Sequence, residues 1–143
     1  MELIPMWDMD SDKTPQWEFY AIQHKTNCLK EFEALLDNRL TQKHTLQLIK
    51  TINALCFHDE GPKLYINNSN ICHEAVAGER IYSFRKGNVR LYWFYGQDRR
   101  VVICPMVLVK REQKTSRDIA NKLIKFKTSY FEAKQNQNIT YKK

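Results

Sequence analysis

Residues 17–23 set Trp17, Phe19 and Ala21 against Glu18, Tyr20 and Ile22, the two-residue period of a strand. From Asn27 the spacing turns helical: Leu29, Phe32, Leu35 and Leu36 form one stripe, and Asn27 is placed to cap the first turn. Leu46, Ile49, Ile52, Asn53 and Leu55 predict a second helix ending near Cys56, and the short connection 37–42 makes the two a helical hairpin. Gly61-Pro62, Asn67-Asn68-Ser69-Asn70 and Gly78 punctuate residues 59–79, which predicts loops with a short strand at 64–66. Three strands follow at 80–85, 89–95 and 101–109, joined by hairpin-length separators. Pro105, inside the third, predicts a bulge or an exposed edge, because proline donates nothing to a ladder. Ile119, Leu123, Phe126 and Tyr130 mark a basic amphipathic helix over 116–134, with Thr115-x-x-Asp118 as a capping box and Tyr130 as a core residue.

The chain has 143 residues, of which 43% are apolar and 12% aromatic, enough for one domain with a genuine core. The pattern divides it into residues 1–15, an N-terminal tail or added strand stopping at Pro15, a folded unit 16–134, and a polar tail 135–143. No run approaches the ~18 apolar residues of a membrane helix. Glu2, Asp8, Asp10 and Asp12 stand where a signal peptide needs basic and then apolar residues, so a cytoplasmic location is expected.

Charge changes the picture most. Residues 1–79 hold 7 basic and 12 acidic side chains, while 80–143 hold 16 and 4. A C-terminal half of that density attracts polyanions through counterion release, and the interleaved Tyr82, Phe84, Tyr92, Trp93, Phe94 and Tyr95 offer rings on which bases stack. Cys28, Cys56, Cys72 and Cys104 form no C-x-x-C pair and read as reduced, buried thiols. His24, His58 and His73 lie near three of them, but at spacings unlike those of zinc ligands, so no metal is expected.

Three segments together, Ile81-Tyr82-Ser83-Phe84-Arg85, Gly87-Asn88-Val89-Arg90-Leu91-Tyr92 and Lys110-Arg111-Glu112-Gln113-Lys114-Thr115, resemble the RelE/HigB-type toxins of type II toxin–antitoxin systems, in the phage-derived toxin-like branch of the RelE/ParE superfamily. The match covers about residues 80–130; the earlier strand and helical hairpin agree by order alone. Ser83 stands where the family usually has Glu, Met106-Val107 where it often has His-Gly, and Ser116 where it has Pro.

The resemblance implies an α+β, RelE-like fold: a small antiparallel sheet with an N-terminal helical hairpin and a C-terminal basic helix. It implies an endoribonuclease without cofactor or metal, cutting mRNA on the translating ribosome and held by a cognate antitoxin of helix-turn-helix type. Such cleavage needs a base for a 2′-hydroxyl, charge for a dianionic phosphorane and a proton for the leaving oxygen. Arginine forks suit the phosphorane. Alternation along 89–95 puts Arg90, Tyr92 and Phe94 on one face, expected to meet phosphate, with Tyr92 as a stacking platform, and Val89, Leu91, Trp93 and Tyr95 on the core face. Arg85 joins Arg90 by its place in the motif. Lys110 or Lys114, its pKa lowered by neighbouring cations, is the expected base, with Arg111 stabilising charge. Lys86 and Arg117 complete the expected RNA-binding set.

No histidine falls within the matched segments, which disfavours a two-histidine ribonuclease. A ParE-like gyrase-inhibiting toxin, and an inactive relative that only binds nucleic acid or antitoxin, stand as alternatives. The acidic, apolar segment 1–12 could shield the basic half of its own chain.

Overall fold

The computed structural model describes residues 1–24, 27–110 and 114–142. Among these residues three α-helices and a seven-stranded sheet make a mixed α+β fold. In chain order these are β1 (Glu2–Pro5), β2 (Glu18–Ile22), α1 (Cys28–Leu36), α2 (Gln42–Cys56), a 3₁₀ turn (Gly61–Leu64), β3 (Cys72–Val76), β4 (Ile81–Lys86), β5 (Val89–Tyr95), β6 (Val101–Val109), α3 (Arg117–Gln135) and β7 (Thr140–Tyr141). The strands lie in the order β3-β4-β5-β6-β2-β1-β7. The meander β3 to β6 is antiparallel, whereas β2 joins β6 in parallel and β7 joins β1 in parallel. The sheet is therefore larger than expected and not purely antiparallel.

The elements form for local reasons. The Asn27 side chain accepts from the Lys30 N–H at 2.9 Å and caps α1. α3 is capped one residue later than expected, because the Ser116 hydroxyl accepts from the Ile119 N–H at 3.3 Å. Asp118 is thus the second helical residue and completes no capping box; it still places a carboxylate in the first turn, where the helix dipole favours one.

β4 and β5 meet in a tight turn at Gly87-Asn88, with Lys86 opposite Val89. Gly87 has φ +55°, and a Cβ there would lie 2.5 Å from the His44 ring of α2, so the turn needs glycine for both reasons. Pro105 does sit at a bulge: Tyr92 pairs with Met106 but Phe94 pairs with Ile103, which leaves one extra residue in β6. That residue resets the alternation, so that Cys104 and Val107 point to the same side.

Helices pack on both faces of the sheet. Phe19, Ala21, Phe84, Leu91, Trp93 and Val107 pack under Phe32 of α1 and Leu48, Ile52 and Leu55 of α2. Tyr20, Ile22, Tyr92, Phe94 and Ile103 pack under Leu123 and Tyr130 of α3. The second layer explains why β2 and β5 are apolar on both sides.

Further expectations change, while of the two readings of the first segment the added strand is the one observed. The short strand expected at 64–66 is replaced by the 3₁₀ turn, and the loop expected over 59–79 contains β3. The first segment forms β1, tied down by the Met1 ammonium on the Asn138 carbonyl (2.6 Å) and the Asp8 N–H on the Asn53 side chain (3.0 Å). It runs along the sheet beyond β2 and is bonded to α2 at Asn53, so it does not lie over the basic meander. The polar segment after α3 likewise adds β7 to the sheet. Among the described residues no helix is long and apolar enough to cross a membrane.

Candidate phosphate-facing site

The register of the meander builds the site. His73 on β3 lies opposite Ser83 on β4, Ser83 opposite Tyr92 on β5, and Tyr92 opposite Met106 on β6. The next row runs Arg85, Arg90, Leu108. Residues directly opposite one another share a face, and Tyr92 fixes which face this is, since it packs with Leu123 and Tyr130. The ladder continues past β6 through the Lys110 N–H, which donates to the Asn88 carbonyl at 2.7 Å, so Lys110 falls on the side of Leu108. α3 starts only at Arg117. Its first turn covers one end of this face, and beyond it His73, Arg85, Arg90 and Lys110 share one basic patch of sheet.

Each side chain is held in a definite way. The Arg85 Nε donates to the Asn70 carbonyl at 3.2 Å. The Arg90 Nη1 donates to the carbonyls of Gly87 (2.7 Å) and Val89 (3.1 Å), which ties the guanidinium to the β4–β5 turn. Arg90 is 7% exposed; burial first, and then Arg85, lowers its pKa. The crowding of the Arg90 guanidinium by that of Arg85 is the electrostatic state that an arriving phosphate relieves.

Two shallow depressions of about 350 Å³ flank this row. Asn70, Arg85, Lys86, Gly87, Asn88 and Arg90 line one. The other lies where Tyr92, Lys110, Lys114 and Ser116 meet at the start of α3.

Tyr92 requires a correction. It is only 1% exposed, and α3 packs over its face, so its ring is not a platform for a stacked base. It borders the second depression as a buried side chain, with its pKa raised by burial and partly lowered again by Thr115. The expectation that Arg90, Tyr92 and Phe94 form an open surface is thus not met: α3 supplies a cover over Tyr92 and Phe94 that alternation within one strand cannot reveal, and Arg90 is itself buried and only borders the first depression. Lys86 alternates to the opposite side of β4 but still borders the first depression at the turn. Lys114 and Arg117 are exposed. Arg111 lies outside the described residues.

His73 is the site residue that the sequence reading missed. It sits in the acidic half of the chain, yet β3 carries it to the basic face, where burial first, and then Arg85, Arg90 and Lys110, lowers its pKa. A lowered imidazole pKa keeps the ring neutral at pH 7, with one nitrogen able to accept a proton. No motif marks it, and its neighbour in the register, Ser83, is ten residues away.

The cysteines are buried, free thiols. Burial raises Cys56 and Cys72 to about 12 and Cys28 and Cys104 well above the usual thiol range, so none is a thiolate at neutral pH. Among the described residues no three His, Cys, Asp or Glu side chains are grouped to hold a metal ion. No protein-family model matches the chain, and no curated protein matches it.

Proposed function

We propose that the protein is a RelE-like toxin that cleaves mRNA in the cytoplasm, on the translating ribosome, under the control of an antitoxin. The observation that carries this reading is the convergence of His73, Arg85, Arg90 and Lys110 on one face of the meander, with His73 held neutral among cations. The order strand, helical hairpin, meander, helix, with β2 parallel to β6, supports the RelE-like reading of the fold.

In the reaction, neutral His73 takes the proton of a 2′-hydroxyl as its oxygen attacks the adjacent phosphorus. Arg85 and Arg90 stabilise the dianionic phosphorane. The P–O5′ bond breaks, Lys110 or Lys114 donates a proton to the departing oxygen, and the upstream fragment keeps a 2′,3′-cyclic phosphate. This assignment gives the lysines charge and the leaving-group proton, and moves the base from them to a histidine that needs no deprotonation at pH 7. Exposed Arg117 contributes to binding the strand.

A cell-free translation reaction programmed with one defined mRNA tests the reading. Mapped 5′ ends should show cuts that require ribosomes. His73→Gln should slow them by about 100-fold or more, and Arg90→Ala by a similar factor. Intact RNA with normal translation would overturn the endonuclease reading.

A further inference from the structure

We propose that the cavity between α3 and the open edge of β6 is a binding site for a small, mainly apolar molecule carrying one carboxylate. The cavity follows from the sheet topology. β2 accompanies β6 only as far as Ala21 opposite Cys104 and ends at Ile22, where the chain leaves for α1. Beyond the Pro105 bulge, no strand of the described residues lies beside the outer edge of β6. Glu31 of α1 faces this edge, where the Val107 backbone partly offsets the rise that burial imposes on its carboxyl.

The space left beneath α3 measures about 730 Å³, within the ~300–1,000 Å³ of sites that enclose small ligands. Met106, Leu108, Ile119 and Phe126 give it apolar walls.

Three polar features select the ligand. The His24 Nε2 is buried with no hydrogen-bond partner among the described residues, and its ring is held against Phe126 with centroids 4.9 Å apart. A buried, unmatched ring nitrogen beside a cavity is a group that a bound molecule would satisfy. Lys122 and Lys125, both exposed, border the same cavity and favour an anion. Glu31 also lines it, and burial raises its carboxyl to about 7. A single negative charge is therefore tolerated next to it near neutrality, whereas a polyphosphate would meet apolar walls and a second acid. The ligand's carboxylate pairs with the lysines and accepts from His24, and its hydrocarbon body fills the wall region.

The site is distinct from the phosphate-facing patch but touches it: Leu108 and Ile119 also border the depression that holds Tyr92, Lys110 and Lys114.

Titration of the full-length protein with decanoate and with decanol, followed by calorimetry at pH 7, tests the proposal without reference to RNA cleavage. Decanoate should saturate one site. Lys122→Ala with Lys125→Ala should weaken decanoate by about threefold to tenfold and leave decanol unchanged. Ser129→Trp, which grows a ring into the cavity from its lining, should abolish both. Absence of saturable decanoate binding, or binding that survives Ser129→Trp, would overturn the proposal. On the unmodified protein, NMR contacts from the decanoate chain to the Met106 and Ile119 methyls should be seen; binding without them would equally overturn it.

Discussion

The two faces of the β3–β6 meander are made by the same four strands and have opposite uses. One carries Cys72, Phe84, Leu91 and Val107 in a row, none more than 1% exposed, beneath α1 and α2. The other carries His73, Ser83, Tyr92 and Met106, with Arg85 and Arg90 beside them, and α3 covers only part of it. Substitution on the first face should cost stability, and on the second face function. The contrast shows that alternation assigns residues to faces, while the covering helix decides what each face does.

The largest effect should come from the covered face. Phe84 is fully buried and stacks on Trp93 at 5.0 Å. Phe84→Ala should destabilise the fold by about 3–5 kcal/mol through lost burial and the cavity left behind. Arg85→Gln, the next residue along the same strand, should cost about 1 kcal/mol or less, the worth of its bond to the Asn70 carbonyl. Urea denaturation of the two variants makes the comparison directly; equal losses would mean the faces do not differ in this way.

The second prediction concerns the uncovered face and follows from the proposed role of His73. A base must be neutral, and the pKa of His73 is lowered by burial and then by Arg85, Arg90 and Lys110. Cleavage should therefore be level near neutrality and fall only as pH drops through that lowered value, below the ordinary 6.5. Arg85→Gln removes the strongest of the charge contributions and should move the acid limb upward, towards the ordinary histidine value. A limb that stays in place would detach His73 from the arginines.

Much of this arrangement was legible in local sequence signals. Asn27 announced α1, the helical stripes announced α1 and α2, and Pro105 announced a break in β6. What could not be read depends on residues far apart in the chain. β3 is written Cys-His-Glu-Ala-Val, with one β-branched residue and loop signals on both sides, and it is a strand because β4 offers it an edge. The burial of Tyr92 comes from α3, and the place of His73 comes from pairing with Ser83. Arginines were visible because motifs carry them; a lone histidine in an acidic stretch carried no such mark.

Glu31 sharpens the comparison at the boundary of the two layers, since it reaches from α1 to the edge of β6. In the folded chain its carboxyl holds a proton to about pH 7, while its ordinary value is 4.5. Between these values the unfolded chain binds fewer protons, so Glu31 makes stability fall as pH rises from about 4.5 to 7. Glu31→Gln keeps an oxygen beside the Val107 backbone and removes the charge. It should stabilise the protein at pH 8 by about 1–2 kcal/mol, less than the full linkage value because the group is only partly buried, and change little at pH 5. Melting curves at both pH values check the sign; a stabilisation that is larger at pH 5 would reverse it.

The smallest effect should lie at the far end of the sheet, where charge joins the acidic and basic halves without either covering helix. Arg100 Nη2 lies 3.1 Å from Asp59 Oδ1, and the Asp59 side chain is 76% exposed. Water screens such a pair, so Asp59→Asn should cost less than about 0.5 kcal/mol and nothing at high salt. The contact that matters at this residue is a backbone one: the Trp17 indole N–H donates to the Asp59 carbonyl at 2.9 Å, and the substitution leaves it in place. Arg100 also keeps its position over the Trp17 ring, 6.0 Å from the centroid, so the guanidinium retains a partner when the carboxylate is gone. A loss above 1 kcal/mol in low salt would show that the pair orders the turn before β6, and that exposed charge does structural work here which on the meander face is reserved for apolar burial.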